Sequence, residues 1–303
     1  MPYMGSKRKL APKIMAKIRE LYPKATYFYD LFGGGGAMSF HALQLGYTTH
    51  YNELNTGVVR LLEDIQKNGV SEKYYKWIDR DTFNANKSKD TLLGGICKVV
   101  WSFGNNQKDY LFSREIEEDK RLLHEIIVNK CEISLEKANT KFGMKIQMDG
   151  NGLFGDETMN QRRLRIMAYV KGCVGRIDLE QLQRLQQLER LEQLERLQQL
   201  QQLQQLEQLQ ITNLSYDEVD INTPPEHTII YLDPPYAKTT SYEEEVNHRE
   251  LEQWIDDMTR KGYKIFLSSY EYNSMRCVAS FEHRSTLSAT ANNKVKERLF
   301  VNE

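Results

Sequence analysis

Short apolar blocks, punctuated by glycine and proline, set the pattern of this chain. Ala25–Asp30 (Ala-Thr-Tyr-Phe-Tyr-Asp), Tyr47–Tyr51 and Thr228–Leu232 are rich in β-branched and aromatic residues, which predicts strands, the last of them buried. Between the first two lie Leu31, Phe32 and four consecutive glycines, Gly33–Gly36, followed by a helical pattern over Ala37–Leu45. Strand, glycine turn and helix form the opening unit of nucleotide-binding α/β folds. Glycines there permit positive φ and let a ligand touch the backbone. The spacing is not G-x-G-x-x-G, so a dinucleotide pyrophosphate is not indicated, and a glycine cluster alone is equally well read as a tight turn.

A second pattern is unlike any of these. Eleven leucines occupy every third position from Leu179 to Leu209, separated almost wholly by Gln, Glu and Arg. Heptads need a mean apolar spacing of about 3.5 residues, so a coiled-coil seam does not form. On an α-helix the leucines drift around the axis, and long 3₁₀ helices are uncommon. The spacing favours a helical arm or solenoid-like insert over residues 178–210, of repeat origin and outside the chemistry.

Composition narrows the class. At 303 residues the chain can hold one large or two modest domains. The net charge of −1 names no partner, but its distribution is uneven. Lys7, Arg8, Lys9, Lys13, Lys17, Arg19 and Lys24 face only Glu20 in the first stretch, and Arg162, Arg163, Arg165, Lys171 and Arg176 form a second basic cluster. A two-signed molecule of this kind can hold a polyanion on one side, although solvated helix faces explain either cluster equally well. Cys97, Cys131, Cys173 and Cys277 are far apart, with no C-x-x-C pair, which argues against zinc or a disulfide framework and for a reducing compartment. No long apolar run can span a membrane, and the N-terminus lacks a signal peptide's apolar core. A soluble cytoplasmic protein is expected.

The candidate chemistry lies at strand ends. Asp233-Pro234-Pro235-Tyr236 follows the strand at Thr228–Leu232, at the end where open α/β sheets bind ligands. An amine conjugated to an aromatic ring is a poor nucleophile, and two acceptors on its N–H groups would favour a pyramidal nitrogen with a free lone pair. Asp233 can supply one acceptor through its side chain. The Pro234 carbonyl can supply the other, held still by proline's fixed φ. Tyr236 offers a flat face to a base turned out of its stack. A simple turn is the plainer alternative. Glu53 ends the next strand, 20 residues after Gly33, the interval of a carboxylate that accepts ribose hydroxyls. Glycine turn and spaced acid together point to an adenosine cofactor without a diphosphate, a description that S-adenosylmethionine fits.

Together these segments resemble the Dam-type DNA adenine-N6 methyltransferases, whose cofactor motif precedes the catalytic one. The likeness covers residues 2–55 and 211–303, and more weakly 95–177. Pro2-Tyr3-Met4-Gly5-Ser6-Lys7 is similar to the family's N-terminal motif, which implies that Tyr3 and Lys7 contact the methyl donor. Asp30–Gly36, with Phe32, Gly33 and Gly34, resembles the motif holding the donor's methionine end, and Glu53 falls at the ribose position. Asp233–Tyr236 matches the catalytic tetrad letter for letter, and Asp233 also borders the donor. Where relatives often carry an acid before an aromatic at the donor's adenine, this chain has Ser215-Tyr216. Lys264–Ser269 resembles the strand after the catalytic helix, and Leu287–Asn293, continuing through Arg298–Val301, resembles a C-terminal hairpin.

The resemblance implies a Rossmann-like S-adenosylmethionine-dependent methyltransferase fold. Residues 1–69 and 211–303 would form the catalytic domain, with a target-recognition domain over 70–177. It implies methyl transfer from S-adenosylmethionine to adenine N6 of flipped bases in double-stranded DNA, without a metal, membrane or obligate protein partner, in a microbial, phage or mobile-element setting such as restriction-modification. Phe103-Gly104-Asn105-Asn106 lies where relatives carry a loop near the flipped base. Asn105, Asn106 and Gln107 suit the reading of adenine edges, and Arg162, Arg163 and Arg165 suit phosphates; turn capping explains the amides equally well. N4-cytosine methylation is the near alternative, and an idle DNA-binding or oligomerising protein the distant one. Protein-glutamine methylation would ordinarily place Asn where Asp233 stands.

Overall fold

The computed structural model describes residues 1, 3, 6–147, 154–172, 206–235, 246–284 and 294–303. Seven strands form one sheet in the order β3-β2-β1-β4-β5-β7-β6. They are β1 (Tyr27–Asp30), β2 (Thr48–Asn52), β3 (Gln210–Thr212), β4 (Thr228–Leu232), β5 (Lys264–Ser269), β6 (Arg276–Arg284) and β7 (Lys294–Val301). The first five in sheet order run parallel, and β7 pairs antiparallel with both β5 and β6. The class is mixed α/β and Rossmann-like, with the predicted strands in place.

The C-terminal hairpin differs from expectation. Its strands are 276–284 and 294–301, so the first begins earlier than the motif Leu287–Asn293 implies. That motif itself falls outside the described residues, as do Pro2, Met4, Gly5, Cys173, Arg176, Tyr236 and the leucine triplets through Leu203.

Strand alternation divides the buried side chains between two faces. Phe28, Ile229, Tyr231 and Phe266 meet Ile14, Met15 and Ile18 of α1 (Ala11–Leu21), with Met38 and Ala42 of α2 (Ala37–Gln44). On the other face Tyr29, Ile230, Leu232, Ile265 and Leu267 meet Leu251, Ile255 and Met258 of the helix His248–Arg260. With both faces covered, all five residues of β4 are buried, as parallel strands require.

The third cluster joins α3 (Thr56–Asn68) to the middle of the chain. Val58, Leu61, Leu62 and Ile65 pack with residues of α5 (Leu92–Val100) and α6 (Arg114–Ile127). Around these stand α4 (Arg80–Asn86), α7 (Glu132–Phe142) and α8 (Met159–Gly172), which makes the helix at 248–260 α9 among the described residues. Helices α3 and α5 meet at glycines: a Cβ on Gly95 would lie 1.9 Å from the Gly57 carbonyl oxygen. The last two leucines of the triplet series belong to this core. Leu206 and Leu209 are buried in it, and their carbonyls accept from Gln66 Nε2 at 2.9 and 2.8 Å.

From β1 the chain moves outward through β2 to β3, then returns to add β4 and β5 on the far side. The C-terminal ends of β1 and β4 therefore flank a topological switch point, where open α/β sheets leave a crevice.

Candidate active site

Asp30 closes β1 and is buried beneath the glycine turn. Its Oδ2 accepts from the Ser39 backbone N–H at 3.2 Å and from Ser39 Oγ at 2.6 Å. The carboxylate thus serves one orphan N–H in the first turn of α2, where the helix dipole favours negative charge. Burial nonetheless raises its pKa to about 7, the Ser39 bonds oppose the rise and Asp233 adds to it.

The turn after Asp30 needs glycine at specific places. A Cβ on Gly33 would lie 2.2 Å from the Tyr51 ring, and Gly34 adopts φ +48° against the Tyr3 ring. Tyr51 also donates its hydroxyl to the Gly34 carbonyl at 2.7 Å. The turn is held from the β2 side as well, since Gly33 N–H donates to Asn52 O at 2.8 Å.

Glu53 follows β2. Its Oε2 accepts from Gly34 N–H at 2.7 Å and its Oε1 from Asn55 N–H at 2.9 Å. Desolvation raises its pKa, and those backbone bonds and the Lys98 charge act the other way. Asn55 extends the network, accepting from Lys98 Nζ at 3.0 Å and donating to Gln107 Oε1 at 3.0 Å. Opposite, Phe32 stacks on Tyr216 at 5.4 Å, and Tyr216 meets Trp254 edge-on at 5.6 Å. Ser215 bonds through Oγ to Asp217, so an acid stands beside the position where one was missing.

Asp233 follows β4 and pairs with Lys7. Lys7 Nζ lies 3.1 Å from Asp233 Oδ1 and 3.3 Å from Glu297 Oε1, with side chains 8 %, 19 % and 1 % exposed. Burial pushes Asp233 up to about 6; Lys7 opposes this and Glu297 reinforces it. Burial alone would lower Lys7, but Asp233 and Glu297 outweigh it and the ammonium is held above its ordinary value.

One cavity of about 730 Å³ is lined by Tyr3, Lys7, Asp30, Phe32, Gly33, Gly34, Glu53, Ser215, Tyr216, Asp233, Pro234 and Pro235. Its size suits a cofactor-sized ligand. A family model described as D12 class N6 adenine-specific DNA methyltransferase matches residues 3–163 and 175–297. The chain belongs to this family. It is thus an adenine-specific DNA methyltransferase, which requires a methyl donor and takes DNA as substrate. No curated protein gives a significant match.

Of the residues expected at DNA, Asn106 and Gln107 line the same cavity in this methyltransferase. Asn105 and Gln107 hold left-handed backbones at φ 58° and 64°, and Asn106 folds its amide into its own turn, accepting from Lys108 and Asp109 N–H at 2.9 and 3.0 Å. Arg162 is 8 % exposed and donates to the carbonyls of Ile127 and Glu157 at 2.5 and 2.6 Å. Such a buried guanidinium ties α8 to the end of α6, an arrangement unlike a phosphate contact. Arg163 bonds Asn160, and Arg165 pairs with Glu157 at 2.8 Å.

Glu297, Lys98 and Asn55 escaped the sequence reading. Glu297 shares one face of β7 with Leu299 and Val301, and Lys98 interrupts the apolar helix α5. A charge at a core position was the available signal for both. Among the described residues no His, Cys, Asp and Glu group could hold a metal, and no helix is long and apolar enough to cross a membrane.

Proposed function

We propose that the 730 Å³ cavity binds S-adenosylmethionine and presents its methyl group to an adenine turned out of duplex DNA. The observation that supports this best is convergence: glycine turn, Glu53 and the Lys7–Asp233 pair share one cavity although they lie far apart in sequence. The lining fits that donor. Gly33 and Gly34 put bare backbone at the wall, and Glu53 stands at the end of β2 with two oxygens for a ribose diol. Asp30, Glu53 and Asp233 set three carboxyl groups in the cavity wall, available partners for a ligand carrying positive charge. The donor would supply an electrophilic methyl group on a sulfonium.

The protein's part is positioning and electrostatics. Asp233 accepts one N6–H of adenine through its carboxylate, and the Pro234 carbonyl accepts the other. Tyr236 would stack on the base, offsetting about 1–3 kcal/mol of its removal from the helix. Residues 1–69 and 211–303 serve as the catalytic unit and 70–177 as the recognition unit. DNA would lie across the recognition side, where Phe103, 59 % exposed, lines a second cavity of about 660 Å³ that also carries Arg80, Lys87 and Lys108.

The deciding experiment is methyl transfer by the purified protein to defined duplexes, with digestion to nucleosides. N6-methyladenine is expected, and Asp233→Ala should reduce kcat by about 10³-fold or more while DNA still binds. N4-methylcytosine as the product, or equal activity in the variant, would overturn the assignment.

A further inference from the structure

Glu297 lies outside the cavity wall, and the reading above gives it no task. At 1 % exposure its carboxylate needs partners. Oε1 accepts from Ser268 Oγ at 3.0 Å and faces Lys7 Nζ at 3.3 Å. Lys7 also reaches Asp233 Oδ1 at 3.1 Å. One buried ammonium therefore stands between two carboxylates, one following β4 and one on β7. With Asp233 as its only counterion, Lys7 would become an isolated buried cation whenever Asp233 is protonated, a state that buried sites strongly disfavour.

Resting on the methyl-transfer reading, we propose that Glu297 is a positioning residue, a second anchor that keeps Lys7 charged and in place while Asp233 takes up the proton shed by methylated N6. The step balances. The N6 lone pair forms the new N–C bond, and the carbon–sulfur pair returns to the donor's sulfur. One N6 proton passes to the Asp233 carboxylate and later to water. Across the cycle Asp233, Lys7 and Glu297 together go from one net negative charge to neutral. They never become a lone cation.

The titratable and charged groups around Asp233 are Lys7, Glu297, Asp30 at the end of β1, Tyr231 on β4 and Tyr270 just after β5. Of these, Lys7 stabilises the Asp233 charge and Glu297 opposes it.

The test compares wild type, Glu297→Gln, Lys7→Gln and the double variant, with Asp233 followed by carboxyl ¹³C NMR in the intact donor-free chain. Glu297→Gln leaves a neutral Lys7–Asp233 pair, so the Asp233 midpoint should fall by at least about half a pH unit. The acid limb of kcat should fall with it, while donor KM changes less than about threefold. Lys7→Gln should raise the midpoint, and adding Glu297→Gln to it should bring the midpoint down. No change on removing the Glu297 charge overturns the proposal, and the Lys7→Gln background decides the matter where Glu297→Gln alone fails to fold. A purely structural role would lower Tm and leave the midpoint and the acid limb in place. The midpoint is read without donor or DNA, so failure here is distinct from failure of the methyl-transfer reading, which would show as an inactive wild type.

Discussion

Asp30 illustrates how a single side chain carries opposed demands. Burial lifts its pKa to about 7, above its unfolded value near 4. A carboxyl raised in this way favours the folded state when protonated. Stability therefore declines as pH rises from about 4 to 7, and the loss is complete above that. Asp30→Asn cannot ionise and retains an oxygen for Ser39. Relative to wild type it should gain roughly 1–3 kcal/mol between pH 4 and 8 in urea melts, while donor affinity weakens. A pH-independent difference between the two proteins would mean that Asp30 titrates normally. The sequence marks Asp30 as an acid at a strand end; it does not show the desolvation, which comes from α2 folding over it through Ser39.

At the level of elements, β1, β2, β4 and β5 were legible because runs such as Thr-Ile-Ile-Tyr-Leu are short, β-branched and bounded by turn residues. The glycine turn was legible as a turn, but its reason was not: Gly33 is small because Tyr51, eighteen positions on, fills the space a Cβ would take. Long-range contacts of that kind leave no local trace. Arg162 teaches the same lesson, since a cluster of arginines does not reveal which member turns inward. Gly95 is the sharpest case on a helix. Its substitution by alanine would drive a methyl into the Gly57 backbone, 1.9 Å from the carbonyl oxygen. Gly95→Ala should destabilise the protein by about 1–3 kcal/mol or more in denaturant melts. Gly57→Ala should be milder, because its nearest contact is 3.1 Å; equal effects would mean that the two helices can slide.

Over the whole molecule, the net charge of −1 conceals local concentrations of charge. Asp30, Glu53 and Asp233, carboxylates with raised pKa values, line the cavity of about 730 Å³, and Lys87, Lys108 and Arg80 line the neighbouring one. Lys108 borders both cavities. Lys108→Ala should weaken binding to all duplex sequences alike and reduce the slope of log K against log salt by about 1. A change confined to one DNA sequence would assign Lys108 to base reading instead.

The glycine crossing of α3 and α5 also governs how such a protein can be recombined. Residue 57 lies in the segment we assign to catalysis and residue 95 in the one we assign to recognition, and the Gly57 backbone leaves no room for a side chain at residue 95. A chimera that imports a recognition segment from a relative must bring a matching partner for position 57, or the graft will pry the two halves apart.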